Sequence, residues 1–309
     1  MNKKVQFFID DVIFVFRDLA KEQPKSLFDH PYMNMLKTAH DKYGMKVQLN
    51  CFYRLSFFYG MEDFDLTQMP DIYKNEWEEN SDWLKLAFHA HEEFPDYPYL
   101  NANYDLVKSN YTKLTNEIKR FAGEKCLATG ITPHWIPISK EGIQALYDCG
   151  VKVTYASYGD RNEDYNGEQS ELPYGHSFRF LYNRKPETAT YTKVTRDLAI
   201  ARAICGYNHI SKEDYDAISK DASTYLDKET GMRYKNTANM VLNLTPLADI
   251  EPTLAPLLGQ EYICTATHEQ YFYPYYYDYH KDYADRIYKM CEILHDNGYT
   301  FIFMEDLVD

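Results

Sequence analysis

Two apolar rhythms alternate along this chain. Residues 5–12, V-Q-F-F-I-D-D-V, form an almost unbroken apolar run that ends in adjacent carboxylates, Asp10 and Asp11, before a helical pattern begins. A run of this kind is how a strand covered on both faces reads. Residues 45–53, 83–90, 151–158, 262–267 and 300–304 have the same character, and a shorter strand falls within 126–136. Between these runs the apolar residues recur at helical spacing. Phe28, Tyr32, Met35, Leu36, Ala39 and Tyr43 share one face up to Gly44, and residues 73–80, 108–121, 139–150 and 283–295 follow suit. Strand alternating with helix predicts a parallel sheet with helical crossovers.

The alternation lapses over about 161–260, where the chain is first polar, then suggests a strand pair at 177–182 and 188–194, a helix near 211–221 and an apolar stretch at 240–244. No repeat, linker or low-complexity tract accompanies the change. The expectation is one domain over 1–309 carrying an elaboration on its core.

Charge narrows the partners. Lys and Arg number 33 against 47 Asp and Glu, a net charge of −14, and no basic run offsets it, which argues against nucleic acid. Aromatics reach 16%, with 30 Tyr and 17 Phe, a supply of flat faces suited to sugar rings as well as to packing. The six cysteines form no C-x-x-C pair and sit mostly in apolar contexts, as buried thiols of a reducing compartment do. The basic start is cut short at Asp10, too early for a signal peptide, and no apolar run approaches the roughly 18 residues of a membrane helix. A cytoplasmic protein without membrane insertion is the expectation.

The candidate chemistry shares one address. Asp10 and Asp11, His89 and His91, His134, Asp160 and His268 each stand at or just beyond the C-terminal end of an expected strand, the edge where parallel α/β folds build their sites. Strand alternation places one of the two aspartates inward and the other at the rim; a helix cap and a solvated residue are the plain alternative. His89-x-His91 puts two imidazoles on one side if the strand runs that far, and with a carboxylate such as Asp11 they make an open site for zinc or a similar divalent ion. His134 is either a third ligand or a rim residue. His268 suits a general acid opposite a carboxylate base, or a hydrogen-bonded core histidine. The aromatic run after it, with Tyr271 and Tyr273, either walls a sugar subsite or packs beneath the next helix. There is no Gly-rich phosphate loop, G-x-S-x-G elbow or H-E-x-x-H.

The order of these motifs resembles the polysaccharide deacetylase (NodB-like, carbohydrate esterase) superfamily. The carriers are Asp10-Asp11 after the first strand, His89 after the third, residues 142–160 (G-I-Q-A-L-Y-D-C-G-V-K-V-T-Y-A-S-Y-G-D), T-H-E at 267–269 and the closing L-H-D-N-G-Y-T-F-I-F-M-E-D-L. The likeness spans the chain except about 161–260. It implies a distorted (β/α)7-8 TIM-like barrel, with Asp10 as general base, Asp11 and His89 as ligands of a divalent metal, zinc by preference, and His268 as catalytic acid. Trp135, Asp160, Glu269, Tyr271 and Tyr273 would bind substrate. Three departures stand out: Val12 replaces a glycine after the aspartate pair, Glu93 occupies the second metal-histidine position, and Ile131-Thr132-Pro133-His134 lacks the arginine that orients the base. His91, Glu93 and His134 are the substitutes on offer for the missing ligand.

The resulting expectation is a metal-dependent hydrolase that removes an acyl group, N-acetyl foremost, from a sugar or polysaccharide precursor. The rivals are a non-catalytic carbohydrate-binding barrel and an amidohydrolase-type barrel. In the latter the His-x-His pair belongs to the first strand rather than the third.

Overall fold

From Val5 to Val12 every residue of the first strand is buried, as the unbroken apolar run requires. In the computed structural model, residues 3–55, 62–94, 97–158 and 206–308 are described. The principal elements, in chain order, are β1 (Lys4–Val12), α1 (Phe14–Glu22), α2 (Pro31–Tyr43), β2 (Val47–Phe52), α3 (Lys74–Glu79), β3 (Leu84–Ala90), α4 (Tyr104–Phe121), β4 (Gly130–Ile131), α5 (Lys140–Asp148), β5 (Val153–Tyr155), α6 (Lys212–Ile218), β6 (Arg233–Lys235), β7 (Met240–Val241), α7 (Ile250–Leu254), β8 (Tyr262–His268), α8 (Tyr283–Asp296) and β9 (Thr300–Ile302). The suggested strand pair at 177–182 and 188–194 lies outside the described residues.

Strands β7, β8, β1, β2 and β3 stand side by side, all parallel. Strands β4, β5 and β6 form a second parallel set. Among the described residues a single bridge, Leu86 to Leu127, joins the two on one side, supported by Ala128 N–H to the Leu86 carbonyl at 2.9 Å. On the other side Asn239 brackets Cys264, its N–H donating to the Cys264 carbonyl at 2.7 Å and its Oδ1 accepting from the Cys264 N–H at 2.9 Å. No ladder joins β6 to β8 among the described residues; buried Lys235 spans that seam, donating to the Asp221 carbonyl at 2.8 Å and lying 4.0 Å from the Tyr262 ring centroid. The expected distorted (β/α) barrel is therefore the fold. Residues 206–260 supply part of its wall, since β6 pairs with β5 and β7 with β8.

Two large apolar masses fill most of the interior among the described residues. Phe8, Val153, Tyr155, Tyr262, Cys264, Ala266 and Met304 fill the lumen, while the larger core lies between the sheet and its helices. The strand expected within 126–136 shrinks to Gly130–Ile131, because Pro133 has no N–H to give a ladder. The last strand pairs with Lys4–Gln6 of β1, on the flank that β2 takes from Phe8 onward, and so wedges the barrel open at its N-terminal end. Among the described residues no helix is long and apolar enough to cross a membrane. The described cysteines are all free thiols, and burial pushes those of Cys126 and Cys264 up to about 12, which makes poor nucleophiles of them.

Candidate metal centre

Strand alternation alone cannot bring both Asp10 and Asp11 to one site, yet both are buried there. The reason is a bulge. Ile9 pairs with Leu49 and Val12 with Cys51, so β1 spends three steps where β2 spends two. Asp11 takes the strain in the left-handed region, with φ of 61°. The expectation of one inward and one rim aspartate is thus corrected. A second irregularity sits next door: Cys51 pairs with Phe88 and Phe52 with Ala90, so His89 is the extra residue of β3. His134 arrives from the loop after β4, its N–H bonded to the His89 carbonyl at 3.1 Å. Trp135 and Ile136 follow with φ of 63° and 77°, a backbone turned sharply to deliver the imidazole.

The three side chains converge. Asp11 Oδ1 is 3.1 Å from His89 Nε2 and 3.3 Å from His134 Nδ1, and the two ring nitrogens are 3.1 Å apart. The outer nitrogens fix the tautomers. His89 Nδ1 donates to the Thr132 carbonyl at 2.5 Å, and His134 Nε2 donates to the Glu93 carbonyl at 3.1 Å. Both imidazoles therefore turn a lone pair toward a carboxylate oxygen. Three such atoms in mutual contact repel unless a cation lies among them. Tetrahedral zinc with bonds of about 2.0–2.1 Å sets its ligand atoms roughly 3.3–3.4 Å apart, so the donor set and its spacing fit a divalent ion. Asp11, His89 and His134 are the group of potential ligands found among the described residues.

Around this triangle stand the remaining polar groups. Asp10, opposite His268 in the last paired position of β1 and β8, accepts from Asn50 Nδ2 at 2.6 Å. Asn50 also donates to Thr132 Oγ1 at 3.0 Å and accepts from Gln48 Nε2 at 2.7 Å, which fixes the orientation of its amide. Burial raises the Asp10 carboxyl above the ordinary range, and the charges of His89 and His268 only partly offset it. Burial would raise Asp11 as well, but the rings of His134 and His89, once protonated on the nitrogens that face it, hold it well below the usual carboxylate range, which is the part a cation plays when those nitrogens carry lone pairs. His268 donates through Nδ1 to Asn243 Oδ1 at 3.0 Å, leaving Nε2 toward the site, 4.0 Å from Asp11 Oδ2.

Other expected site residues fall elsewhere. His91 leaves the cluster because the bulge at His89 breaks the two-residue alternation: its ring stacks on Tyr53 at 5.2 Å, and its N–H donates to the Tyr99 hydroxyl at 3.1 Å. Glu93 supports the site by its backbone carbonyl, with its carboxylate 3.8 Å from His134 Nε2. Glu269 is fully buried as the cap of α1, accepting from the N–H groups of Ile13, Phe14 and Val15 at 2.6, 2.7 and 2.7 Å, so it has no face for a substrate. Burial pushes its carboxyl up to about 8 against the pull of those three donors. Tyr273 is buried beside it, with its hydroxyl 3.4 Å from Glu269 Oε1, and is likewise structural. Tyr271 packs on His280 at 4.9 Å and Tyr276 at 5.3 Å, its ring 6.2 Å from that of His268. Trp135 lies half-buried between Tyr97 at 5.1 Å and His134 at 5.6 Å. Asp160 lies outside the described residues.

Sequence reasoning missed Asn50, Asn243 and Gln270. Asn50 ends an expected strand at the same edge as the aspartates and was open to the same topological test. Asn243 carries no such signal, because it lies in the turn Leu242–Leu244 after a strand of two residues. Gln270 follows His268 by two positions, and its Nε2 donates to Asp11 Oδ2 at 2.9 Å.

No family model matches the chain, and neither does any curated protein. Among solved structures it is similar to a 4-alpha-glucanotransferase from Thermococcus litoralis, 10% identical, covering 100% of this chain and 40% of that one with a TM-score of 0.54. That likeness is one of fold. The chain is also similar to a peptidoglycan N-acetylglucosamine deacetylase, 10% identical over 99% of this chain and 88% of the other, with a TM-score of 0.46. A carbohydrate esterase family 4 pseudoenzyme from Bacillus anthracis is 8% identical over 100% and 66%, with a TM-score of 0.43. Scores at that level decide nothing about chemistry, which is read from the site itself.

Proposed function

We propose that this protein is a metal-dependent hydrolase that removes an acyl group, N-acetyl foremost, from a sugar or sugar conjugate, working as a single barrel domain. The observation that carries the reading is the triangle of Asp11 Oδ1, His89 Nε2 and His134 Nδ1, each edge 3.1–3.3 Å, with Asp10 and His268 beside it. Asp11, His89 and His134 would hold the divalent ion, zinc by preference. When bound, such an ion polarises a carbonyl and acidifies water.

The chain's own residues divide the proton work. Asp10 takes a proton from the attacking water as its oxygen bonds to the acyl carbon; its raised proton affinity suits a base that must hold that proton. As the C–N bond breaks, His268 gives a proton from Nε2 to the departing nitrogen, while Nδ1–H stays on Asn243. Water and amide thus become carboxylic acid and amine, with the catalytic pair reset by exchange of the two protons with solvent. Asn50 donates to the proposed base, and this neutral amide orients Asp10 in a chain that lacks the motif's arginine. Trp135 beside His134 and Tyr271 beside His268, both aromatic and only half-buried, are the proposed contacts for a sugar ring. The choice of a sugar amide rests on the motif resemblance.

Metal analysis of the purified protein, followed by acetate release from N-acetylglucosamine oligomers, tests this. One divalent ion per chain and metal-dependent release are expected. Absence of bound metal even after reconstitution with zinc removes the mechanism and leaves the carbohydrate-binding barrel. The amidohydrolase alternative loses its basis because His91 turns away to Tyr53.

A further inference from the structure

Three consecutive residues leave β8 and each grips the turn after β1. His268 pairs in register with Asp10, Glu269 accepts from the N–H groups of Ile13, Phe14 and Val15 at the start of α1, and Gln270 donates to the far oxygen of Asp11. The contacts span more than 250 residues of sequence, as the 2.9 Å bond between Gln270 and Asp11 does at a separation of 259. Ile13, the residue before α1, offers no side-chain cap, so Glu269 is the only cap among the described residues for those three donors. Gln270 is 3% exposed, and its Nε2 rather than its Oε1 must face the carboxylate, because an acceptor there would repel it.

We propose that the Glu269–Gln270 pair is a positioning clamp for the metal ligand Asp11: Glu269 fixes the strained turn, and Gln270 occupies Oδ2 so that only Oδ1 is free to coordinate. Asp11 has φ of 61°, a conformation that a non-glycine residue keeps only when its surroundings enforce it, and Glu269 holds the chain two to four residues downstream. A carboxylate with both oxygens free can close on an ion in a bidentate manner. Tying up Oδ2 keeps Asp11 monodentate and leaves a coordination position open for substrate and water. The clamp rests on the metal-centre reading above and adds what holds the carboxylate in its ligating pose.

The experiment is calorimetric titration of the intact protein with zinc, together with the visible spectrum of its cobalt form. Gln270→Met keeps the bulk and removes the donor; Gln270→Glu keeps the shape and sets a second carboxylate against Asp11. Zinc affinity 10–100-fold below wild type in both, with an altered cobalt spectrum and a cooperative melting transition kept by the metal-free protein, is the expected result. If wild type binds zinc and either folded variant binds it equally well with the wild-type cobalt spectrum, the clamp is wrong while the metal centre stands. If wild type binds no metal, both fall together.

Discussion

The two ends of this barrel both bury carboxylates, and they treat them in opposite ways. At the N-terminal end Glu305 is bonded on both oxygens. Oε1 pairs with the Lys85 ammonium, and Oε2 accepts from the Thr129 hydroxyl at 3.0 Å, the Gly130 N–H at 3.1 Å and the Thr129 N–H. Every acceptor has its donor and the charge has its counter-ion. At the C-terminal end Asp11 faces two imidazole lone pairs, and Asp10 accepts from a neutral amide, with His89 Nδ1 at 3.9 Å and His268 opposite it on β8. The first end is electrostatically closed and serves stability. The second is short of positive charge at one point, which is what a cation-binding, proton-moving site requires.

Substitutions separate the two ends, and the largest effect is expected at the ligands. Asp11→Ala or His89→Ala should bring bound zinc to none by elemental analysis and acetate release to background. Retained metal in both would show that the triangle is not the site. Asp10→Asn should lower kcat by about 10²–10⁴-fold while metal content stays at one ion per chain, the range for losing a general base. Glu305→Ala should do the converse: it strands the Lys85 charge and costs about 3 kcal/mol in denaturant unfolding, with zinc affinity untouched. An equal effect of Glu305→Ala on metal binding would erase the distinction between the ends. The smallest change is expected for Asn243→Ala, which removes one hydrogen bond from His268 and should reduce kcat about 2–10-fold at constant KM.

Much of the scaffold was legible because buried parallel strands write themselves as unbroken apolar runs. Residues 5–12, 83–90 and 262–267 all proved to be strands, and Gly44 does end α2 in the left-handed conformation, with φ of 64°. The expected helix 108–121 begins earlier, at Tyr104, because Asn103 caps it through the Leu106 N–H at 2.9 Å. Short strands were less visible. Two or three residues, as in β4, β6 and β7, carry too little periodicity to distinguish a strand from a loop.

The residue types of the site and their common edge are properties of the sequence. Asp10, Asp11, His89, His134 and His268 each follow an apolar run, and a parallel sheet carries all such positions to one side. Which histidine joins Asp11 and His89 was decided only in three dimensions. Sequence spacing left His134 and His91 as the candidates, with Glu93 at the position where a histidine was expected. Single-residue bulges at Asp11 and His89, together with the sharp turn at Trp135, send His134 inward and His91 out to Tyr53. A bulge shifts every later side chain by one face, yet leaves no mark in an apolar pattern that is buried on both faces. The amide partners Asn50, Asn243 and Gln270 belong to the same category. Each matters through one hydrogen bond to a residue at least 25 positions away, and only the folded chain sets those distances.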